Sequence, residues 1–149
     1  PDNPLSFFSW VTINPQMSPL TWEQLKSGAP TTRSPDVQQA YDHYKLRLRR
    51  AGYTVGYVVS QELASKWGGR RQWALTVNPF PYDLAEGINH YIIWFKPSDA
   101  RLTQIRVALA VHEIWPTATR GIVWKVNPAS HRSVLSVPHA HVFVNSKIV

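Results

Sequence analysis

The feature that most constrains this chain lies near its C-terminal end, in Pro138-His139-Ala140-His141-Val142-Phe143-Val144. Side chains two apart in a β-strand point to the same face. His139, His141 and Phe143 therefore share one face, and Ala140, Val142 and Val144 share the other. The second set is small and apolar and belongs in a core. The first sets two imidazoles side by side where an apolar core gives them no partner. Imidazole titrates near neutrality, binds metals and serves as nucleophile or proton carrier. Any chemistry is expected on this strand.

Upstream, residues 1–20 are rich in proline and apolar groups and read as an extended N-terminal arm, with residues 21–149 as one domain. Thr21-Trp22-Glu23-Gln24 has the pattern of a capping box, with Gly28 closing a short helix. Ser34-Pro35-Asp36 is a helix start, with an N-cap serine, proline in the first turn and an acid beside it. Val37, Tyr41, Tyr44 and Leu48 follow at helical spacing, and Gly52 ends that helix. Tyr53 to Val59 reads as a strand and Ser60 to Trp67 as a short helix. Strands are expected from Gln72 to Val77, Ile88 to Phe95 and Gly121 to Val126. Asn78-Pro79-Phe80-Pro81-Tyr82-Asp83 is a rigid loop, because its two prolines lack the donors a sheet interior needs. Ser98 to Trp115 reads as the longest helix, with Leu102, Ile105, Leu109 and His112 on its buried stripe and Val107, Val111 and Ile114 widening it. The expected fold is α+β, an antiparallel sheet with the long helix packed on one face and short N-terminal helices.

Composition narrows the function classes. Apolar residues make up 44% of the 149, enough for a core, and seven Trp, six Tyr and five Phe supply rings to line a pocket. The absence of cysteine rules out disulfides and thiolate metal sites and fits a reducing compartment, so a cytoplasmic location is expected. No apolar run approaches the roughly 20 residues that span a bilayer, and Pro1-Asp2-Asn3-Pro4 does not read as a signal peptide. The net charge of +7 favours anionic partners, although the basic residues form small groups rather than one patch and also suit a solvated surface.

Several segments together carry a resemblance. They are the 78–83 loop with Gly87-Ile88-Asn89-His90-Tyr91 and Trp94, then Trp124 with Asn127 and Ser133-Val134, then His139-Ala140-His141-Val142. With Trp22-Glu23, Arg33-Ser34-Pro35 and Tyr41, the chain resembles the fungal N-acetylglucosamine-induced protein family, largely described as a domain of unknown function. More distantly it is similar to the histidine-triad superfamily. There a similar loop precedes a nucleotide-contacting strand, and a strand of alternating histidines carries the nucleophile. By position that nucleophile is His141, which would attack phosphorus and form a nucleotidyl-histidine. Phe143 stands where the superfamily has its third histidine, and Ala129-Ser130-His131-Arg132-Ser133 replaces its glycine-rich phosphate loop. Arg132 and Ser133 could then act as anion donors. Superfamily members are often dimers, which makes a homodimer an open expectation.

The candidate site residues follow. His141 and His139 are the catalytic candidates. His90 shares a strand face with Ile88, Ile92 and Trp94 and reads either as a core histidine or as a substrate contact. A third metal ligand could come from His90 only if its strand lies beside the last one, and no metal or cofactor is expected. Tyr82 could stack on a base or move a proton, and Asp83 could orient an imidazole. Asn127, Trp94 and Phe143 complete the expected pocket.

Three functions stand open. The first is hydrolysis or transfer at a nucleotide phosphate through His141. The second is a lyase, isomerase or cyclase reaction, with histidines moving protons on an aromatic or polyketide-like metabolite of fungal specialised metabolism. The third is a non-catalytic binder of RNA or another anion.

Overall fold

The computed structural model of the chain describes residues 3–8, 19–67, 71–97, 101–117, 120–128, 134 and 136–148. Helices α1 (Trp22–Lys26), α2 (Pro35–Arg50) and α3 (Val55–Leu63) come first. Strands β1 (Trp73–Val77) and β2 (Ile88–Phe95), helix α4 (Gln104–Ile114), and strands β3 (Ile122–Lys125) and β4 (His139–Asn145) follow. The strands form one open sheet in the order β1-β2-β4-β3, every neighbouring pair antiparallel. The fold is therefore α+β. The histidine strand β4 is interior to the sheet, and all seven of its residues are buried.

Local signals set the first two helices. The Thr21 hydroxyl accepts the Gln24 N–H at 3.2 Å, and the Gln24 side chain accepts the Thr21 N–H at 2.9 Å, a complete capping box. Ser34 caps α2 by accepting the Val37 N–H, with Pro35 opening the helix. Gly28 and Gly52 end these two helices with φ of +80° and +84°, which a residue with a Cβ adopts only under strain.

The next segment differs from expectation. Tyr53 to Val59 is not a strand: Thr54 caps α3 by accepting the Tyr57 N–H at 3.1 Å. Val55, Val59 and Leu63, at helical spacing, are buried. The β-branched run favours a strand locally, but the cap and burial along one helical stripe outweigh that propensity.

Helix α4 is also shorter than expected and begins after Thr103, whose hydroxyl accepts the Arg106 N–H. With 11 residues it is outrun by the 16 of α2. Its buried side is Val107, Ala110 and Val111, while Ile105 and Leu109 are 72% and 65% exposed. His112, expected in the core, is exposed as well. Both stripes have helical spacing. The smaller side chains face inward, where they let the helix lie close to its neighbours.

Two apolar clusters occupy the two faces of the sheet. Ile93, Phe95, Ala140, Val142 and Val144 join the buried residues of α4. Ala74, Ile92 and Trp94 join Val37, Tyr41, Tyr44 and Leu48 of α2 and Val55, Val59 and Leu63 of α3. Burying a Val, Leu or Phe side chain fully contributes about 1.5–3 kcal/mol. A third cluster gathers Phe143, Trp22, Leu25, Tyr82 and Leu84. Of the expected arm, Phe7 is buried in the α2–α3 cluster, with its N–H donated to Glu62, and the Tyr44 hydroxyl donates to the Leu5 carbonyl.

Candidate functional site

Strand register assembles the site. Across β2 and β4, His90 pairs with Phe143, Ile92 with His141 and Trp94 with His139. Across β3 and β4, Lys125 pairs with His141. Paired residues of antiparallel strands point to the same face. His90, His139, His141, Phe143 and Lys125 thus share one face.

The loop at 78–83 closes over that face. Asn78 Oδ1 accepts the Phe80 N–H at 2.9 Å, which holds the turn. The Phe80 ring stacks on Tyr41 at 4.8 Å, and its carbonyl accepts from Arg33 Nε at 2.8 Å. The Asp83 N–H donates to Thr32 O, and the Asp83 carbonyl accepts from Leu20. Held at both ends, the loop stacks Tyr82 on His90, with ring centroids 4.6 Å apart.

A hydrogen-bond chain follows, and its direction is fixed by its first member. The Tyr82 backbone N–H donates to His90 Nδ1 at 3.1 Å. A backbone N–H only donates, so Nδ1 is unprotonated and neutral His90 carries its proton on Nε2. That N–H faces His141 Nδ1 at 2.8 Å, which must accept. Neutral His141 therefore carries its proton on Nε2. Tyr82 Oη, 3.5 Å away, is the acceptor it faces. Asn127 Nδ2 donates to the same Oη at 3.0 Å. The approaches of Asn78 Nδ2 to His90 Nε2 (3.4 Å) and of Asn127 Nδ2 to His141 Nε2 (3.3 Å) then bring donor to donor and are not bonds. With two donors on Oη, the phenol proton turns away from both.

Electrostatics keep the pair neutral. Burial holds His90 well below the usual imidazole value of 6.5, and the Arg33 and Lys125 charges push the same way. For His141, burial is reinforced by His90, His139, Arg33 and Lys125. Lys125 is itself lowered by burial. The Arg33 guanidinium lies 4.7 Å from the Tyr41 ring centre and 5.2 Å from that of Tyr82, with the Lys125 ammonium 5.4 Å from the latter. Lys125 also donates to Thr31 Oγ1.

Two cavities flank this chain of groups. The larger, about 530 Å³, is lined by Thr31, Arg33, Gln38, Tyr82, Lys125 and Asn127, among others. A smaller one of about 220 Å³ includes Asn78, Tyr82 and His90 in its lining. Tyr82 and Asn127 thus face the larger cavity with His141 beneath them.

The other expected residues are distributed as follows. His139 donates Nδ1–H to the Val137 carbonyl at 2.8 Å and packs on Trp94, centroids 5.0 Å apart. It lies 5.4 Å edge-on from His141, ring centre to ring centre. Trp94 donates its indole N–H to Thr76 at 2.7 Å within the core. Phe143 is fully buried against His90 at 4.8 Å. Asp83 is buried and held through its main chain; the group that orients His90 is the neighbouring Tyr82 N–H. Arg132 and Ser133, with the rest of the 129–133 loop, lie outside the described residues. Among the described residues no group of three or more His, Cys, Asp or Glu side chains is disposed to hold a metal ion. No helix there is long and apolar enough to cross a membrane. No motif in the sequence marks Arg33 or Lys125 as site residues. The signals on offer were the position of Arg33 just before the α2 cap and the alternation that sets Lys125 two residues from Asn127.

The fold and site define a class: a small α+β protein with a buried, neutral histidine pair behind a cation-lined cavity. Residues 21–145 match the family described as "Protein of unknown function (DUF3605)", and the chain belongs to that family. No curated protein matches it. The chain is similar in fold to a protein called HTC1, known from a crystal structure, at 25% identity with a TM-score of 0.62 over 84% of each chain.

Proposed function

We propose that this protein is a small-molecule enzyme of the lyase, isomerase or cyclase type. Tyr82 donates a proton or a strong hydrogen bond to a substrate oxygen in the 530 Å³ cavity. The observation that carries this reading is the Tyr82 N–H bond to His90 Nδ1, because it fixes both imidazole tautomers. As the phenol gives up its proton, negative charge grows on Oη. The His141 Nε2–H and Asn127 N–H already point there, and the Arg33 and Lys125 cations flank the ring. Tyr82 is the catalytic residue; His141, Asn127 and His90 position and polarise it. A neutral imidazole used as a donor, rather than an imidazolium, suits a site in which burial prevents charging.

The same tautomer disfavours covalent nucleotide transfer. Attack on phosphorus needs a lone pair on a His141 nitrogen, yet Nδ1 is engaged by His90 and Nε2 carries the proton.

Substituted naphthols provide the test, since their planar oxyanions mimic an enolate. Binding is read by tryptophan fluorescence, with Tyr82→Phe expected to weaken it at least tenfold. A ³²P label retained on His141 after incubation with a nucleoside phosphoramidate, or naphthol affinity indifferent to Tyr82→Phe, would overturn the proposal.

A further inference from the structure

We infer that the substrate of this site carries a carboxylate, gripped by Lys125 and Arg33 while its reacting oxygen meets Tyr82. The inference rests on the reading of Tyr82 above. Both cations line the same cavity as Tyr82 and Asn127, and none of the described lining residues is an Asp or Glu. The acid whose charge acts on Arg33 is Asp42, which is already engaged by Lys45 at 3.2 Å and by the Gln38 amide at 3.0 Å. Two half-buried cations in one cavity repel each other, an arrangement that an anionic ligand relieves. His90 and His141, which burial keeps from charging, lie behind Tyr82 and outside the described lining, so Arg33 and Lys125 are the charged groups among the described lining residues.

A carboxylate fits better than a phosphate. None of the described lining residues is a glycine of the kind that opens a backbone nest for phosphate. A planar guanidinium braced by the Phe80 carbonyl and set between two tyrosine rings instead matches a planar carboxylate. The positive end of α2 begins at the next residue, Ser34, and adds to the same field.

The test compares 3-benzoylpropionate, its methyl ester and phenyl phosphate, each titrated by tryptophan fluorescence at low salt. The acid is expected to bind at least tenfold more tightly than the ester, with added salt weakening the acid alone. Lys125→Gln should bring the acid to within about threefold of the ester, and Lys125→Arg should keep most of the preference. Tyr82→Phe should weaken acid and ester by the same factor, so that failure of the Tyr82 reading and failure of the clamp are seen separately. Equal binding of acid and ester, or a tenfold preference for phenyl phosphate over the acid, would overturn the inference.

Discussion

Acid should unfold this protein through its two buried histidines before its carboxylates protonate. In the folded chain His90 and His141 are held well below 6.5, the ordinary value that the unfolded chain recovers. Below pH 6.5 the unfolded state therefore binds protons that the folded state refuses, and stability falls with pH. A histidine that stays neutral when folded loses about 1.7 kcal/mol of stability between pH 6.5 and 5.0, from the linkage relation with an unfolded value of 6.5. Two lose about 3 kcal/mol, a large share of the 5–15 kcal/mol typical of a domain. Urea unfolding followed by tryptophan fluorescence at pH 7.5, 6.5, 5.75 and 5.0 measures this directly. With an m-value of about 2 kcal/mol/M, the midpoint should drop by about 1.5 M between pH 6.5 and 5.0. His141→Gln should halve that drop, and His90→Gln with His141→Gln should remove most of it, whatever either does to stability at pH 7.5. A midpoint that stays level from pH 6.5 to 5.0, or one that falls equally in wild type and double variant, would refute the reasoning.

Other outcomes follow from single contacts. Tyr82→Phe keeps the stack on His90 but takes the Oη acceptor from His141 and Asn127, so stability should fall by about 1–3 kcal/mol while turnover of a substrate, once found, falls about 10²-fold. Ser34→Ala removes the α2 cap and should cost about 1 kcal/mol by urea unfolding, with Ser34→Asp restoring most of it. At Gly56 a Cβ would sit 1.9 Å from Ser136 Oγ and 3.2 Å from Ser136 Cβ. Gly56→Ala gains helix propensity inside α3 but must displace Ser136, so it should be more stabilising, by about 1 kcal/mol, in a Ser136→Gly chain than in the wild-type chain.

The extent to which the site was legible in sequence depends on the distance over which each signal acts. Alternation along 138–144 is local, and it set His139 and His141 on one face before any partner was known. Ile88–Phe95 was equally readable, because its β-branched and aromatic run has no competing helical pattern. The partnership of His90 with His141 was not readable: β2 and β4 are separated by α4 and β3, and only their pairing register brings the two rings together. Arg33 and Lys125 escaped for a similar reason. Each is one basic residue among 16, and only folding brings both to within 5.4 Å of the Tyr82 ring centre. The strand expected at Tyr53–Val59 shows the reverse failure, a local propensity overruled by a cap and a buried stripe. On α4, periodicity offered two apolar stripes and could not say which one the sheet would take.

The backbone N–H of Tyr82 sets the tautomers of two neutral histidines. Long-range ¹H–¹⁵N correlation of the imidazoles at pH 7 measures this without a ligand. His90 and His141 should both be neutral and protonated at Nε2, with the His141 ring nitrogen signals perturbed in Tyr82→Phe. A proton on Nδ1 of His141, or an imidazolium at either position, would contradict it.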